Sequence, residues 1–104
     1  GSIIKLQGSY ELRFAMMLDK IKLKWVGHGE IEPLLYIDSN NSEHYYYPDF
    51  FVPSRKTYYE TKGWFRDRDR IKMYLVSCFH PDKNIIVVGE SELDEFEQTG
   101  TLPS

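Results

Sequence analysis

The stretch that most constrains the fold runs from "KTYYETKG" (56–63) to "NIIVVG" (84–89). The first run is rich in tyrosine and threonine, which suits a central strand, and Gly63 ends it. The second is a short continuous apolar run, typical of a buried strand. Between them the spacing predicts a helix from about Asp67 to Phe79, with an apolar stripe of Ile71, Leu75, Cys78 and Phe79, and Pro81 as the stop. Strand, helix and strand in that order imply a right-handed crossover and at least one parallel pair. The domain is therefore expected to be mixed α/β.

The flanks extend this unit. Ser9 before Tyr10-Glu11 and the apolar Leu12, Ala15, Met16 and Leu18 predicts a helix with a serine N-cap. "IKLKWV" (21–26) alternates like a strand. "EPLLYI" and "EHYYYPDFFV" flank the turn-forming "DSNNS" (38–42), as a hairpin or as extended arms joined by a bridge. Ser91 and Asp94 resemble a capping box for a last helix that Gly100 closes. The expected order is helix, three strands, helix, strand, helix.

At 104 residues this is one domain, spanning 3–104, because the opening Gly1-Ser2 reads as a tag scar. No apolar run of about 18 residues offers a membrane span, so no membrane partner is expected. The single cysteine, Cys78, excludes an internal disulfide framework and points to a reducing cytoplasm. On its helical stripe it is expected to be a buried, inert thiol.

The net charge of -3 is unusual for a nucleic-acid binder, but its distribution is uneven. Seven basic residues lie between Arg55 and Lys72 against Glu60, Asp67 and Asp69; the stretch from Glu90 to Glu97 carries five acidic residues and no basic one. Such a basic centre suits a polyanion. Arg66, Arg68, Arg70 and Lys72 could grip phosphates, or could form a solvated face with Asp67 and Asp69 as partners.

"YYYPDFFVPSRKTYYETKGWF" (45–65) carries the chemistry. Side chains two apart on a strand share a face, which groups Glu60 with Lys62. Antiparallel pairing through "PSRKT" would bring Asp49 beside Glu60. Two adjacent carboxylates call for a cation, and hard oxygen ligands suit Mg²⁺, with the Thr61 backbone carbonyl in reach. Lys62 would then stand by the water that the ion activates, an arrangement suited to phosphodiester hydrolysis. The same residues could also make an ordinary surface hairpin with a salt bridge.

The tyrosines at 45, 46, 47, 58 and 59 fit strand packing or base stacking. Trp64 and Phe65 wall the site or fill the core. His28, His44 and His80 lack zinc-ligand spacing. No phosphate-binding glycine loop or nucleophile elbow occurs, which argues against ATPase and serine-hydrolase activity.

"YPDFFVP", "YETKG", "DRIK" (69–72) and "HPD" (80–82) together resemble the endonuclease I of T-seven-type bacteriophages, a Holliday-junction resolvase family within the PD-(D/E)XK nucleases. The likeness runs without gaps from Glu60 to Pro81 and extends more loosely back to "SYELRF". It implies a restriction-endonuclease-like core and a Mg²⁺-dependent DNA endonuclease, with Mn²⁺ an expected substitute. Asp49 and Glu60 would hold the metal, Lys62 would be the catalytic lysine, and Glu11 would be a further acidic group helping to hold a second ion. The resemblance also implies branched DNA as substrate, a phage-infected or bacterial cell, and a homodimer that exchanges strands through a bridge where "DSNNSEH" stands. Enzymes of that family are basic with charged extensions, whereas this chain is acidic and trimmed, as if excised from a longer protein. Two alternatives follow: the catalytic domain of a homing or transposition endonuclease that cuts duplex DNA with a separate targeting module, and a non-catalytic DNA-binding module.

Overall fold

Helix α1 (Ser2–Lys20) leads into β1 (Val26–Gly27), β2 (Leu34–Ile37), β3 (Glu43–Tyr46), β4 (Phe50–Val52) and β5 (Thr57–Thr61). Helix α2 (Asp67–Phe79), β6 (Asn84–Val88) and α3 (Glu90–Thr99) complete the chain. The computed structural model describes residues 2–104, with side chains from Ser9 onward. Among the described residues the fold is mixed α/β with three α-helices, and five strands precede α2 where three were expected.

The expected crossover unit is present. β5 and β6 pair in parallel around α2, and the four-stranded sheet runs β1-β4-β5-β6 with its other pairs antiparallel. The β4–β5 hairpin turns through Pro53–Arg55 and through Lys56, which takes a left-handed conformation at φ 49°. β2 and β3 form a separate two-stranded sheet, with Leu34 opposite Tyr46. Residues 38–42 close that hairpin within one chain: Asp38 donates its N–H to the Ser42 carbonyl, and its carboxylate accepts the N–H groups of Asn40 and Ser42. Of the two forms open to this segment, it takes the tight turn.

The sheet separates two cores. On one face α1 and α3 pack Phe14, Leu18, Leu93 and Phe96 onto Phe50, Val52, Tyr59 and Val88. On the other, Met73 and Val76 of α2 meet Leu34, Tyr36 and Tyr46 of the β2–β3 hairpin, with Ile85 and Val87 beneath. Neighbouring residues of β5 and β6 thus serve opposite layers, as strand alternation requires.

Several sequence expectations need correction. Ser9 does not cap α1, which begins at Ser2; one glycine and one serine cost a helix only about 1 kcal/mol or less each. The 21–26 segment is not a strand except at Val26. The Ile21 and Leu23 N–H groups bond back to Met17 and Leu18, and Lys22 is left-handed. Its alternation is nevertheless real as burial, because Ile21, Leu23 and Trp25 pack on the first core while Lys22 and Lys24 face outward.

Helix α2 is also rotated from expectation. It buries Asp69, Met73 and Val76, and leaves Ile71, Cys78 and Phe79 exposed. The cysteine is therefore not a buried thiol. The buried line follows the helical spacing of 69, 73 and 76, but its first member is a carboxylate, which an apolar pattern excludes. Helix α3 starts two residues earlier than the Ser91–Asp94 pairing implies: the Glu92 carboxylate accepts the Gly89 N–H at 2.8 Å. Gly100, at φ 72°, ends it as expected.

Candidate active site beside the second core

The β4–β5 register pairs Phe50 with Tyr59, so Asp49, one residue earlier, stands level with Glu60. Asp49 Oδ2 accepts the Thr61 backbone N–H at 2.9 Å and the Thr61 hydroxyl at 3.2 Å. Thr61 therefore turns its hydroxyl toward Asp49 at the strand end. Glu60 is only 8% exposed, and its Oε1 accepts the Tyr46 hydroxyl at 2.8 Å. The hairpin's buried tyrosine fixes the carboxylate of the neighbouring layer.

Burial pushes the Glu60 carboxyl up to about 7, and the Asp49 charge adds to this against the Tyr46 hydrogen bond and the positive charges of Lys72 and Lys62. Asp49 is also raised by burial, despite the opposing Thr61 hydrogen bonds and the nearby His28 and Lys62. Glu11, on α1, is raised by burial, by the Asp49 charge and by a hydrogen bond with Asp49. Asp49 thus interacts with Glu60 on one side and Glu11 on the other, and all three carboxyl groups resist ionisation.

Lys62 follows β5 and donates its N–H to the Val88 carbonyl. Its Nζ lies 3.4 Å from Asp69 Oδ1, while Asp69 Oδ2 accepts the Arg66 N–H at 2.9 Å. The Arg66 hydrogen bond, followed by the Lys62 charge, holds Asp69 below its ordinary value. A cleft of about 460 Å³ opens here, lined by Tyr10, Glu11, Thr61, Lys62, Gly63 and Trp64. A second of about 220 Å³ reaches Asp49 and His28, and Glu11 borders both.

The structure therefore groups Glu11, Asp49, Glu60, Thr61 and Lys62. Of the basic set, Lys72 lies over the Tyr46 ring at 5.3 Å and Arg66 over Trp64 at 5.5 Å, while Arg68 and Arg70 are exposed on α2. Sequence reasoning missed Asp69, Tyr46 and His28 as members of this region. For Asp69 the usable signal was its helical spacing to Met73 and Val76. For Tyr46 and His28 no local signal exists, because tertiary packing brings them in.

Among the described residues no three His, Cys, Asp or Glu groups converge closely enough to chelate an ion alone. The donor chemistry still fits a hard divalent cation. Asp49 and Glu60 are neighbouring, largely desolvated carboxyl groups whose proton affinity burial raises, with the Asp49 charge adding to it at Glu60. Mg²⁺ takes few protein carboxylates and keeps several waters, so this donor set is sufficient. No family model, curated protein or solved structure matches the chain.

Proposed function

We propose that this domain is a Mg²⁺-dependent DNA endonuclease with a PD-(D/E)XK core. The juxtaposition of Asp49 and Glu60 across β4 and β5, with Lys62 at the strand end, carries this reading. Asp49, Glu60 and the Thr61 carbonyl would hold the ion, and Glu11 could share a second. A divalent ion bound there would acidify water and neutralise charge on the phosphate.

The remaining chemistry belongs to the chain. Tyr46 keeps Glu60 in one orientation through its 2.8 Å hydrogen bond. Asp69 keeps the Lys62 ammonium at the cleft, where it can orient the attacking water and meet charge developing on the phosphate. The water gives up a proton to solvent as its oxygen bonds to phosphorus, the ester P–O bond breaks, and the departing oxygen takes up a proton from solvent. Lys72 adds positive charge beside Glu60.

Branched DNA is the substrate suggested by the family resemblance. A core working with a separate targeting module is a second reading, favoured by the net charge of -3 and the acidic helix α3. The deciding experiment is cleavage of a labelled four-way junction and a matched linear duplex, with Mg²⁺ or EDTA. Cutting that requires Mg²⁺ and vanishes in Glu60→Ala is expected. Preference for the junction supports a resolvase, and equal cutting of both supports the targeted core. No cutting of either substrate would overturn the nuclease reading.

A further inference from the structure

Trp64 is 74% exposed, two residues beyond Lys62, on the loop that joins β5 to α2. A large aromatic side chain so placed adds little to either core. Its position is nonetheless fixed. The Arg66 guanidinium lies over the indole at 5.5 Å and is itself drawn toward Asp69, with Nε 3.8 Å from Oδ2. Arg66 thus covers one ring face and leaves the other to solvent.

The loop's start is equally constrained. A Cβ at Gly63 would stand 2.5 Å from the Tyr10 ring, so a larger residue there would displace that ring. Tyr10 in turn donates its hydroxyl to Glu90 at 2.6 Å, tying the cleft wall to α3. The result is a cleft of about 460 Å³ that has both Lys62 and Trp64 among its lining residues. That volume lies within the range of small-ligand clefts, roughly 300–1,000 Å³. A ligand using both groups needs a flat π surface and an adjacent anion, which describes a nucleotide.

We infer that Trp64 is the stacking platform for one unpaired base next to the phosphate that is cut. The inference rests on the nuclease reading and narrows its substrate. In a duplex both faces of a base are covered by neighbours, so the indole can only take a base that has left the stack. Flaps, single strands and bases unstacked at a branch point supply such bases; an intact duplex does not. Stacking of this kind is sequence-tolerant and is worth about 1–3 kcal/mol per base, or roughly 5- to 150-fold in affinity. Trp64 would therefore set a preference for DNA shape while Lys62 and the carboxylates do the chemistry.

The test compares a fluorescein-labelled duplex carrying a single-stranded flap with a blunt duplex of equal length. Anisotropy in EDTA reads affinity without turnover, and cleavage with Mg²⁺ is measured on the same DNAs. Trp64→Ala should weaken flap binding about tenfold or more and blunt-duplex binding less than twofold, and Trp64→Phe should recover most of the loss. Equal affinity of Trp64→Ala and the parent for the flap, an equal loss on both DNAs, or no flap preference in the parent would each overturn it. Because Trp64 is exposed, thermal melting of Trp64→Ala should match the parent, and a lowered melting temperature would show a packing role instead. The two proposals fail separately. Trp64-dependent flap binding without cleavage sinks the nuclease and keeps the stacking site, whereas cleavage with Trp64-independent affinity does the reverse.

Discussion

Tyr59 and Glu60 are neighbours on β5, yet they face environments that differ in kind. Tyr59 enters a core where the Phe14 ring meets those of Phe50, Tyr59 and Phe96 at 5.1, 5.0 and 5.5 Å. Its hydroxyl is satisfied by the Pro103 carbonyl at 2.8 Å. Glu60 enters the opposite layer, where Tyr46, Met73 and Val76 surround a region that also holds Asp69. One face of the sheet buries apolar surface and leaves its polar atoms paired. The other also holds an apolar core, but it buries the carboxyl groups of Glu60 and Asp69 within it. Aromatic packing and buried charge are thus divided between the two sides of a single strand.

The largest effect should come from breaking the apolar side. Phe14 is fully buried at the meeting point of three aromatic rings. Phe14→Ala should cost about 3–5 kcal/mol in urea unfolding, from lost burial plus the cavity left behind. Met73, 8% exposed in the smaller second core, should cost about 2 kcal/mol on truncation to alanine. Equal costs at the two positions would mean that the two faces are not divided as argued.

The next effect concerns charge on the other side. Glu60 has a folded-state value of about 7 against an ordinary 4.5. The fold therefore favours its protonated form. The stability this provides is complete below about pH 4.5 and is lost as pH rises through about 7, an effect on the order of 3 kcal/mol. Asp49 and Glu11 are shifted in the same direction. Asp38, Asp69 and Glu97 are shifted downward, so their contribution is lost only in more acid solution. Urea midpoints measured in EDTA should therefore fall between pH 5 and pH 8. Glu60→Gln should flatten that slope and exceed the parent in stability at pH 8. Millimolar Mg²⁺ should restore the parent at pH 8, since a ligand that binds only the folded state stabilises it, and should do much less for Glu60→Gln. A parent protein whose stability is indifferent to both pH and Mg²⁺ would show that the carboxylates are not a cation site.

How far the sequence could reveal this arrangement depends on the range of the interactions involved. The β5–α2–β6 unit was legible because strand composition, helical length and stop signals are local. The pairing of Asp49 with Glu60 was legible for a related reason, since a short connection leaves antiparallel strands few registers. The phase of α2 was not. Its buried face begins with Asp69, whose burial makes sense only once the Arg66 N–H and Lys62 are in place around it. Segment 21–26 misled in the opposite way, because its alternation reports which side chains face the core and says nothing of whether a neighbouring strand completes a ladder. Tyr46 reads locally as one tyrosine among several, and only the packing of the hairpin on α2 turns its hydroxyl toward Glu60.

The smallest effect should come from the ion pairs outside the apolar core. Arg13 on α1 reaches Asp94 at 2.8 Å, and Glu97 at 2.6 and 3.0 Å, across the seam with α3. The geometry is two-pronged, but all three side chains are about a third or more exposed, so solvent screens the attraction. Arg13→Ala should cost less than about 1 kcal/mol, and most of that difference should disappear in 1 M NaCl. It should leave the pH 5–8 slope intact, because neither Glu60 nor Asp49 lies near this seam. Urea unfolding of Arg13→Ala at low and high salt checks both points. A loss approaching that of Phe14→Ala would mean that charge, and not the aromatic cluster, joins α1 to α3. The apolar face would then depend on electrostatics as much as the carboxylate-bearing face does.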